Sequence, residues 1–316
     1  MALFGRFKFL VENKITGLTS ETKWMANLVL NSAFTLVSSS SSSVTWRIEL
    51  GTGSAPPTIA DNALEAFLVK RTATSSGLIN GASTSFSSPV YSTSNGFDFV
   101  FSLGAVVGNL SEIGLSLNDT LVTRALITDE LGDPTTITVG ANDILTVKYL
   151  IGYDIDTSHP PGVAVVDFDG QAINLSAKWC NIGLGAANKN GMNNGVFPLH
   201  NINNGERVWI VETLPSDPLS NISGGTTPIS FLNSVSGIGI SNFWQLGMVA
   251  TGSSWTKTIS YTSVAGSNTG NWNGFCIGAT GANAGSIIAL FEFDSTFIKL
   301  ANQQVTISVT MNVLRG

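Results

Sequence analysis

Two stretches of alternating polarity, 160 residues apart, constrain this chain more than any other feature. Over residues 145–155 the odd positions Leu145, Val147, Tyr149, Ile151, Tyr153 and Ile155 are apolar. Thr146, Lys148, Gly152 and Asp154 between them are polar or small, with Leu150 the exception. Val305, Ile307, Val309, Met311 and Val313 alternate with Thr306, Ser308, Thr310 and Asn312 in the same way, and Phe97, Phe99, Phe101 and Leu103 form a third row. Alternate side chains of a strand share one face, so each row predicts one buried face of a sheet; a slip of one residue would turn that face to water. Helical periodicity is scarce. Its best stretch is 57–70, where Asp61 and Asn62 also suit a turn.

The two long rows belong to a wider internal repeat. Ala141-Asn142 and Ala301-Asn302 precede them at the same spacing. Thr123-Arg124-Ala125-Leu126-Ile127 resembles Ile287-Ile288-Ala289-Leu290-Phe291, and residues 97–103 resemble 255–261. Trp46-Arg47-Ile48-Glu49 pairs with Trp209-Ile210-Val211-Glu212, and Lys23-Trp24 with Lys178-Trp179. The order is kept while the spacing drifts between 155 and 164, as loop insertions would produce. The repeat predicts an all-β fold of two tandem, internally duplicated antiparallel β-sandwich (jelly-roll-like) domains. The first is 1–156, with 1–14 as an N-terminal docking arm; 157–162 is a linker around His159-Pro160-Pro161-Gly162; the second is 163–316.

Composition narrows the function classes. Charged residues make up 11% of the chain, against a usual ~25%. Hydrophobic residues at 43% exclude a disordered chain. A net charge of −6 repels phosphate backbones, so no nucleic-acid partner is expected. No run of 18 apolar residues exists, which argues against membrane insertion through a helix. The opening residues scatter Arg6, Lys8, Glu12 and Lys14 among apolar ones and offer no secretory core. So few charges, with a mean hydropathy of +0.26, predict extensive contacts between subunits. A homo-oligomer is expected, a trimer favoured. Phe4, Phe7 and Phe9 are the candidate docking residues; the alternative is that they form the first strand of the sandwich.

Chemistry-bearing motifs are few. Cys180 and Cys276 make no disulfide framework, and a bond between them stays open. His159 and His200 both read as surface-loop residues. Asp167-Phe168-Asp169-Gly170 lacks the remaining ligands of a calcium loop and reads as a β-turn. Asp129-Glu130-Leu131-Gly132-Asp133-Pro134 reads as a polar turn, and no nucleophile elbow or phosphate loop occurs. No catalytic residue, metal site or cofactor is therefore assigned, and no enzyme is expected. The tracts 38–43, 187–195 and 201–205 read as loops. Of the tryptophans, Trp179, Trp209 and Trp255 fall on strand positions, while Trp272, amid Asn and Gly, is the one candidate glycan contact, with a packing role as its other reading.

Several motifs carry a resemblance. Asn27-Leu28-Val29-Leu30-Asn31-Ser32 is followed by Gly51-Thr52-Gly53-Ser54-Ala55-Pro56-Pro57-Thr58, then by Asn109-Leu110-Ser111-Glu112-Ile113-Gly114-Leu115. Thr123-Arg124-Ala125-Leu126-Ile127, Thr136-Ile137-Thr138-Val139 and Asp143-Ile144-Leu145-Thr146-Val147-Lys148-Tyr149 complete the series. Together, over roughly 25–155, they resemble minor structural and tail-appendage proteins of tailed bacteriophages. The second half lacks the Ser-Glu-Ile-Gly-Leu and Arg-Ala-Leu signatures. The resemblance implies a virion structural role in a tail fibre, collar or baseplate, with assembly in the host cytoplasm and other virion proteins as partners. It carries over no catalytic residue. The alternative is a tail adhesin module that binds host-surface carbohydrate.

Overall fold

The computed structural model describes residues 2–37, 45–77, 84–87, 90–179, 207–213, 230–231, 247–251, 254–263, 269–278 and 287–316. These residues are almost entirely strand and turn; among them the one α-helix is Asn31–Val37. The chain divides into two compact units. The first comprises Met1–Ile155, Ala250–Trp255 and Val313–Gly316, the second Asp156–Val249 and Thr256–Asn312.

In the first unit, strand Ala2–Asn13 pairs antiparallel along its whole length with Asp143–Asp156. Thr19–Glu21 and Met25–Ala26 pair with its other edge. Val90–Phe101 lies beyond Asp143–Asp156 and carries Ser75–Gly77 and Thr84–Ser87. A second sheet of five antiparallel strands has the order Leu28–Val29, Thr120–Leu126, Glu112–Leu117, Trp46–Gly51, Phe67–Thr72. The sheets face each other across an apolar core. Trp46 of one meets Phe97 of the other at 5.2 Å between ring centroids, and Thr123 Oγ1 lies 2.6 Å from the Tyr149 hydroxyl. Leu145, Val147, Tyr149 and Ile151 are all buried, as the alternation demands, with Phe97, Phe99 and Phe101 beside them. Leu103, read as the last of that row, is 53% exposed, because the strand ends at Phe101 and a turn follows.

The strands that follow Asp156 pair in a comparable order, although residues 250–251, 254–255 and 313–315 of three of them group with the first unit. Gly162–Phe168 pairs with Gln171–Ile173 on one edge and with Val305–Arg315 on the other, followed by Ser254–Ser263 and Gly247–Thr251. A further five-stranded sheet runs Leu175–Trp179, Ile287–Lys299, Gly270–Gly278, Arg207–Thr213, Ser230–Phe231, antiparallel throughout. Numbered by chain order, both five-stranded sheets read 1-5-4-2-3.

Register agrees residue by residue in the first sheet of each unit. Leu145, Val147 and Tyr149 face Val11, Phe9 and Phe7, whereas Val305, Ile307 and Val309 face Phe168, Val166 and Ala164. The partners are thus 157 residues apart and the strands themselves 160. In the five-stranded sheets the matched strands occupy the same places, but the residue matches conflict. Trp46 and Ala125 face Leu117 and Ile113, four positions apart, while Trp209 and Ala289 face the adjacent Cys276 and Ile277.

Two expectations are corrected by local chemistry. Of the two readings of 1–14, the first strand of a sheet is the one that forms, over Ala2–Asn13. Leu3, Gly5, Phe7 and Phe9 alternate on the buried face, Phe7 and Phe9 wholly so, while Arg6 points outward and Phe4 is half-buried under the Arg6 guanidinium. The helical pattern at 57–70 is overridden as well. Its first part is an irregular loop, and Phe67–Thr72 is a strand on the Trp46–Gly51 edge.

Candidate functional site

The outer face of the first five-stranded sheet carries the most concentrated polar chemistry among the described residues. Glu112, Gly114 and Ser116 point there, since Ile113, Leu115 and Leu117 fill the core face. Register sets Arg124 opposite Gly114 and Leu126 opposite Glu112, so Glu112 and Arg124 share that face as diagonal neighbours. The hairpin joining their strands turns on Asn118 and Asp119, both at positive φ (49° and 65°), the conformation of a two-residue type I′ turn.

Over this pair folds a loop, residues 52–66, whose ends meet where Thr52 N–H donates to Ala66 O at 2.9 Å. It is an Ω-loop, closed at the neck and held by groups beneath it. Glu112 Oε1 accepts the amides of Gly53 at 3.1 Å and Ala66 at 2.7 Å. Its Oε2 accepts the Glu65 amide at 3.1 Å together with Arg124 Nε at 3.1 Å and Nη2 at 2.8 Å. Arg124 continues outward, donating from Nη1 to Asp61 Oδ2 at 2.6 Å and from Nη2 to Ala55 O at 3.1 Å. Glu65 Oε2 accepts the amides of Ser54 and Ala55, both at 2.6 Å, and Leu64 drops its side chain onto Leu30 and Leu121.

The glycines of the Gly-Thr-Gly motif follow from this packing. A Cβ on Gly51 would come within 2.6 Å of both Ala66 O and Glu112 Oε1. One on Gly53 would collide with Glu112 Oε1 and lie 2.6 Å from the Glu65 Cβ. Only bare backbone lets the carboxylate approach the loop.

The charges are arranged for binding the backbone. Burial pushes the Asp61 carboxyl up, but the Thr58 hydroxyl and amide and the Arg124 guanidinium outweigh it and hold it below the ordinary range. The Ala55 and Ser54 amides hold the Glu65 carboxyl down in the same way. Glu112 is 0% exposed and accepts five hydrogen bonds, three from loop amides and two from the Arg124 guanidinium. What reaches solvent is the loop's crest, where Ser54, Pro56, Thr58, Ile59 and Ala60 are exposed on a scaffold fixed from below. Asn31 N–H adds a further tether, donating to Ile59 O at 2.9 Å.

The residues singled out from sequence do not gather here. Trp272 lies on strand Gly270–Gly278, 0% exposed and edge-on to Phe168 at 5.6 Å, so its ring offers no face to a sugar. Of its two readings, packing is the one the burial fits: Asn271 is exposed and Asn273 half-buried, outer-face residues of a strand whose other face is core. Phe7 and Phe9 are core and Phe4 flanks them. His159 is exposed, with Nδ1 2.9 Å from Asp156 Oδ2. Asp167–Gly170 forms a hairpin turn in which the Asp167 carboxylate accepts the Gly170 amide at 2.7 Å. His200, Cys180 and the loop tracts 38–43, 187–195 and 201–205 lie outside the described residues, as do the side chains of Cys276, Trp179, Trp209 and Trp255.

The Glu112–Arg124–Asp61 cluster was not foreseen as a unit, although its hairpin register offered the signal for the first two residues. No group of three His, Cys, Asp or Glu side chains among the described residues is placed to hold a metal ion, and no described helix is long and apolar enough to cross a membrane. A scan against protein-family models finds no match, and neither a curated protein nor a solved structure matches the chain.

Proposed function

We propose that this chain is a non-enzymatic structural protein of a bacteriophage particle, an appendage of the tail fibre, collar or baseplate kind, that self-associates and docks on other virion proteins. The observation that carries the reading is where the resemblance-bearing motifs meet. Gly51-Thr52-Gly53-Ser54, Ser111-Glu112-Ile113-Gly114-Leu115 and Thr123-Arg124-Ala125 are spread over more than seventy positions of sequence. In space they form one buried network whose polar atoms bind main chain and one another. A signature of that kind maintains the shape of a displayed loop; catalysis needs charge aimed at a vacant reacting centre. A loop fixed before it meets a partner loses little entropy on docking, which suits a permanent assembly contact. The low charge of the chain supports the same reading, since little repulsion opposes packing copies together.

Light scattering on the purified chain tests self-association. A single symmetric species of several 33.1 kDa copies, three in the favoured arrangement, is the expected result. A stable monomer at micromolar concentration that also fails to bind particles would overturn the reading.

A further inference from the structure

The outer face of the strand pair Ala2–Asn13 and Asp143–Asp156 carries a charge arrangement that packing alone does not explain. Lys8 and Lys148 are direct partners in the antiparallel register. Phe7, Phe9, Val147 and Tyr149 on either side of them fill the core, so both lysines stand on the outer face. Directly opposed Cβ atoms lie about 5 Å apart, and like charges placed there repel. Arg6 joins them on the same face, opposite Leu150 and diagonal to Lys148, a Cβ separation of about 7–8 Å. Three cations thus border Leu150, which is buried, in a chain whose net charge is −6.

Two carboxylates flank the three cations. Glu21 pairs with Lys8, and Asp98 reaches Lys148 at 3.4 Å. The Lys8 ammonium holds the Glu21 carboxyl below its ordinary range, and Lys148 adds to that pull from farther away, so the row Glu21–Lys8–Lys148–Asp98 shares one field. Arg6 has no such partner. It is exposed, its guanidinium lies 5.0 Å from the Phe4 ring centroid, and it donates to no acceptor among the described residues. The Lys148 contact is also long for a charge-assisted hydrogen bond, which is usually about 2.8 Å. The triangle therefore keeps a surplus positive charge and a planar fork of unused donors. Beside it stands the half-buried ring of Trp24, 5.0 Å from Lys8 Nζ.

We propose that Arg6, Lys8 and Lys148 form a cradle for a phosphate monoester, with Trp24 taking the sugar that carries it. A phosphate monoester brings close to two negative charges and three acceptor oxygens to one centre, which suits three converging cations better than a single carboxylate does. The guanidinium fork donates to two of those oxygens in parallel, while the ammonium groups act as point charges. A bound dianion also removes the repulsion between Lys8 and Lys148, so the arrangement that costs stability in the empty protein becomes favourable in the complex. The indole supplies an apolar surface beside the charged centre. The inference goes beyond the assembly reading and does not depend on it: a monomer by light scattering would leave it standing.

Thermal unfolding of the full chain, titrated with inorganic phosphate, glucose 6-phosphate or glucose against sodium chloride of equal ionic strength, tests the site, because a ligand that binds the folded state raises the midpoint. Both phosphates are expected to raise it and glucose is not, with glucose 6-phosphate acting at the lower concentration. Arg6→Gln and Lys148→Gln are each expected to weaken phosphate binding at least ~10-fold, the size of one hydrogen bond to a charged group. Lys148→Gln removes one of two opposed cations, so without ligand it should melt no lower than the parent, which separates lost binding from lost fold. Trp24→Ala is expected to keep the response to inorganic phosphate and lose the preference for the sugar phosphate. A chloride control that matches phosphate, or a full phosphate response in Arg6→Gln and Lys148→Gln, would overturn the cradle. Equal potency of the two phosphates on the parent chain would overturn the role given to Trp24.

Discussion

Glu112 and Arg124, diagonal neighbours on adjacent antiparallel strands, form a buried ion pair with Oε2 and Nη2 2.8 Å apart. The pair is embedded in main-chain contacts: three loop amides reach Glu112, and one loop carbonyl and the Asp61 carboxylate reach Arg124. A buried ion pair can often be exchanged for apolar side chains at little cost. Here that exchange would orphan the amides of Gly53, Glu65 and Ala66, so the charges are retained for what they bind besides each other.

Removing one partner is therefore expected to be costly. Glu112→Ala and Arg124→Ala should each destabilise the first unit by about 3–5 kcal/mol, the range for an abandoned buried charge. Glu112→Gln keeps one acceptor oxygen and should cost less. Denaturant unfolding measures the loss, and hydrogen exchange should show the Gly53, Glu65 and Ala66 amides losing protection first. Unchanged protection in Glu112→Ala would contradict the network.

Gly53→Ala adds one methyl where the Glu112 carboxylate already sits. Overpacking of this kind costs about 1–3 kcal/mol. In Glu112→Ala, which makes room for the new methyl, the added cost should shrink. A double-mutant cycle with no coupling would show that the two do not meet.

Acid should loosen the loop before it unfolds the core. The folded pKa values of Asp61 and Glu65 are depressed, so the stability they contribute is complete above their unfolded values of about 3.9 and 4.3 and is lost as pH falls through the lower folded values. Limited proteolysis across this acid range should cleave within 52–66 before other sites in the first unit. Cleavage elsewhere first would contradict the assignment.

Alkali acts through Tyr149. Burial pushes its phenol far above the ordinary range, against the smaller opposing effect of Thr123. A raised folded value means that its contribution is complete below the unfolded value of about 10 and is lost as pH rises beyond it. Tyr149→Phe should remove that alkaline dependence and cost about 1–2 kcal/mol, because Thr123 Oγ1 and the Asn27 side chain lose a buried partner. Tyr149→Asp should unfold the first unit and Val309→Asp the second, since both side chains are buried in apolar faces. A parental melting curve for either would contradict that burial.

Much of this architecture was legible in the sequence. The alternating rows at 145–151 and 305–309 are buried faces because period-2 alternation is a direct imprint of a strand with one side dry. The strand at 2–13 carries the same imprint, but Arg6 and Lys8 on its outer face gave the segment the look of a basic arm. Trp272 was obscured in the same manner by its asparagine neighbours. Asp61 could not be found from sequence, because its place beside Arg124 depends on the path of an irregular loop that no periodicity encodes. The helix at Asn31–Val37 spans barely two turns, too short for a helical pattern to register.

The central claim, that the chain is a building block of a phage particle, is met most directly on the particle itself. Particles purified from a host that produces the chain would be analysed by mass spectrometry for its peptides and by cryo-electron microscopy for its position. The account predicts stoichiometric presence, with β-sheet density for the chain repeated around a symmetry axis of the tail or its appendages. Absence of the chain from pure particles, with the protein recovered only in the soluble fraction, would contradict it.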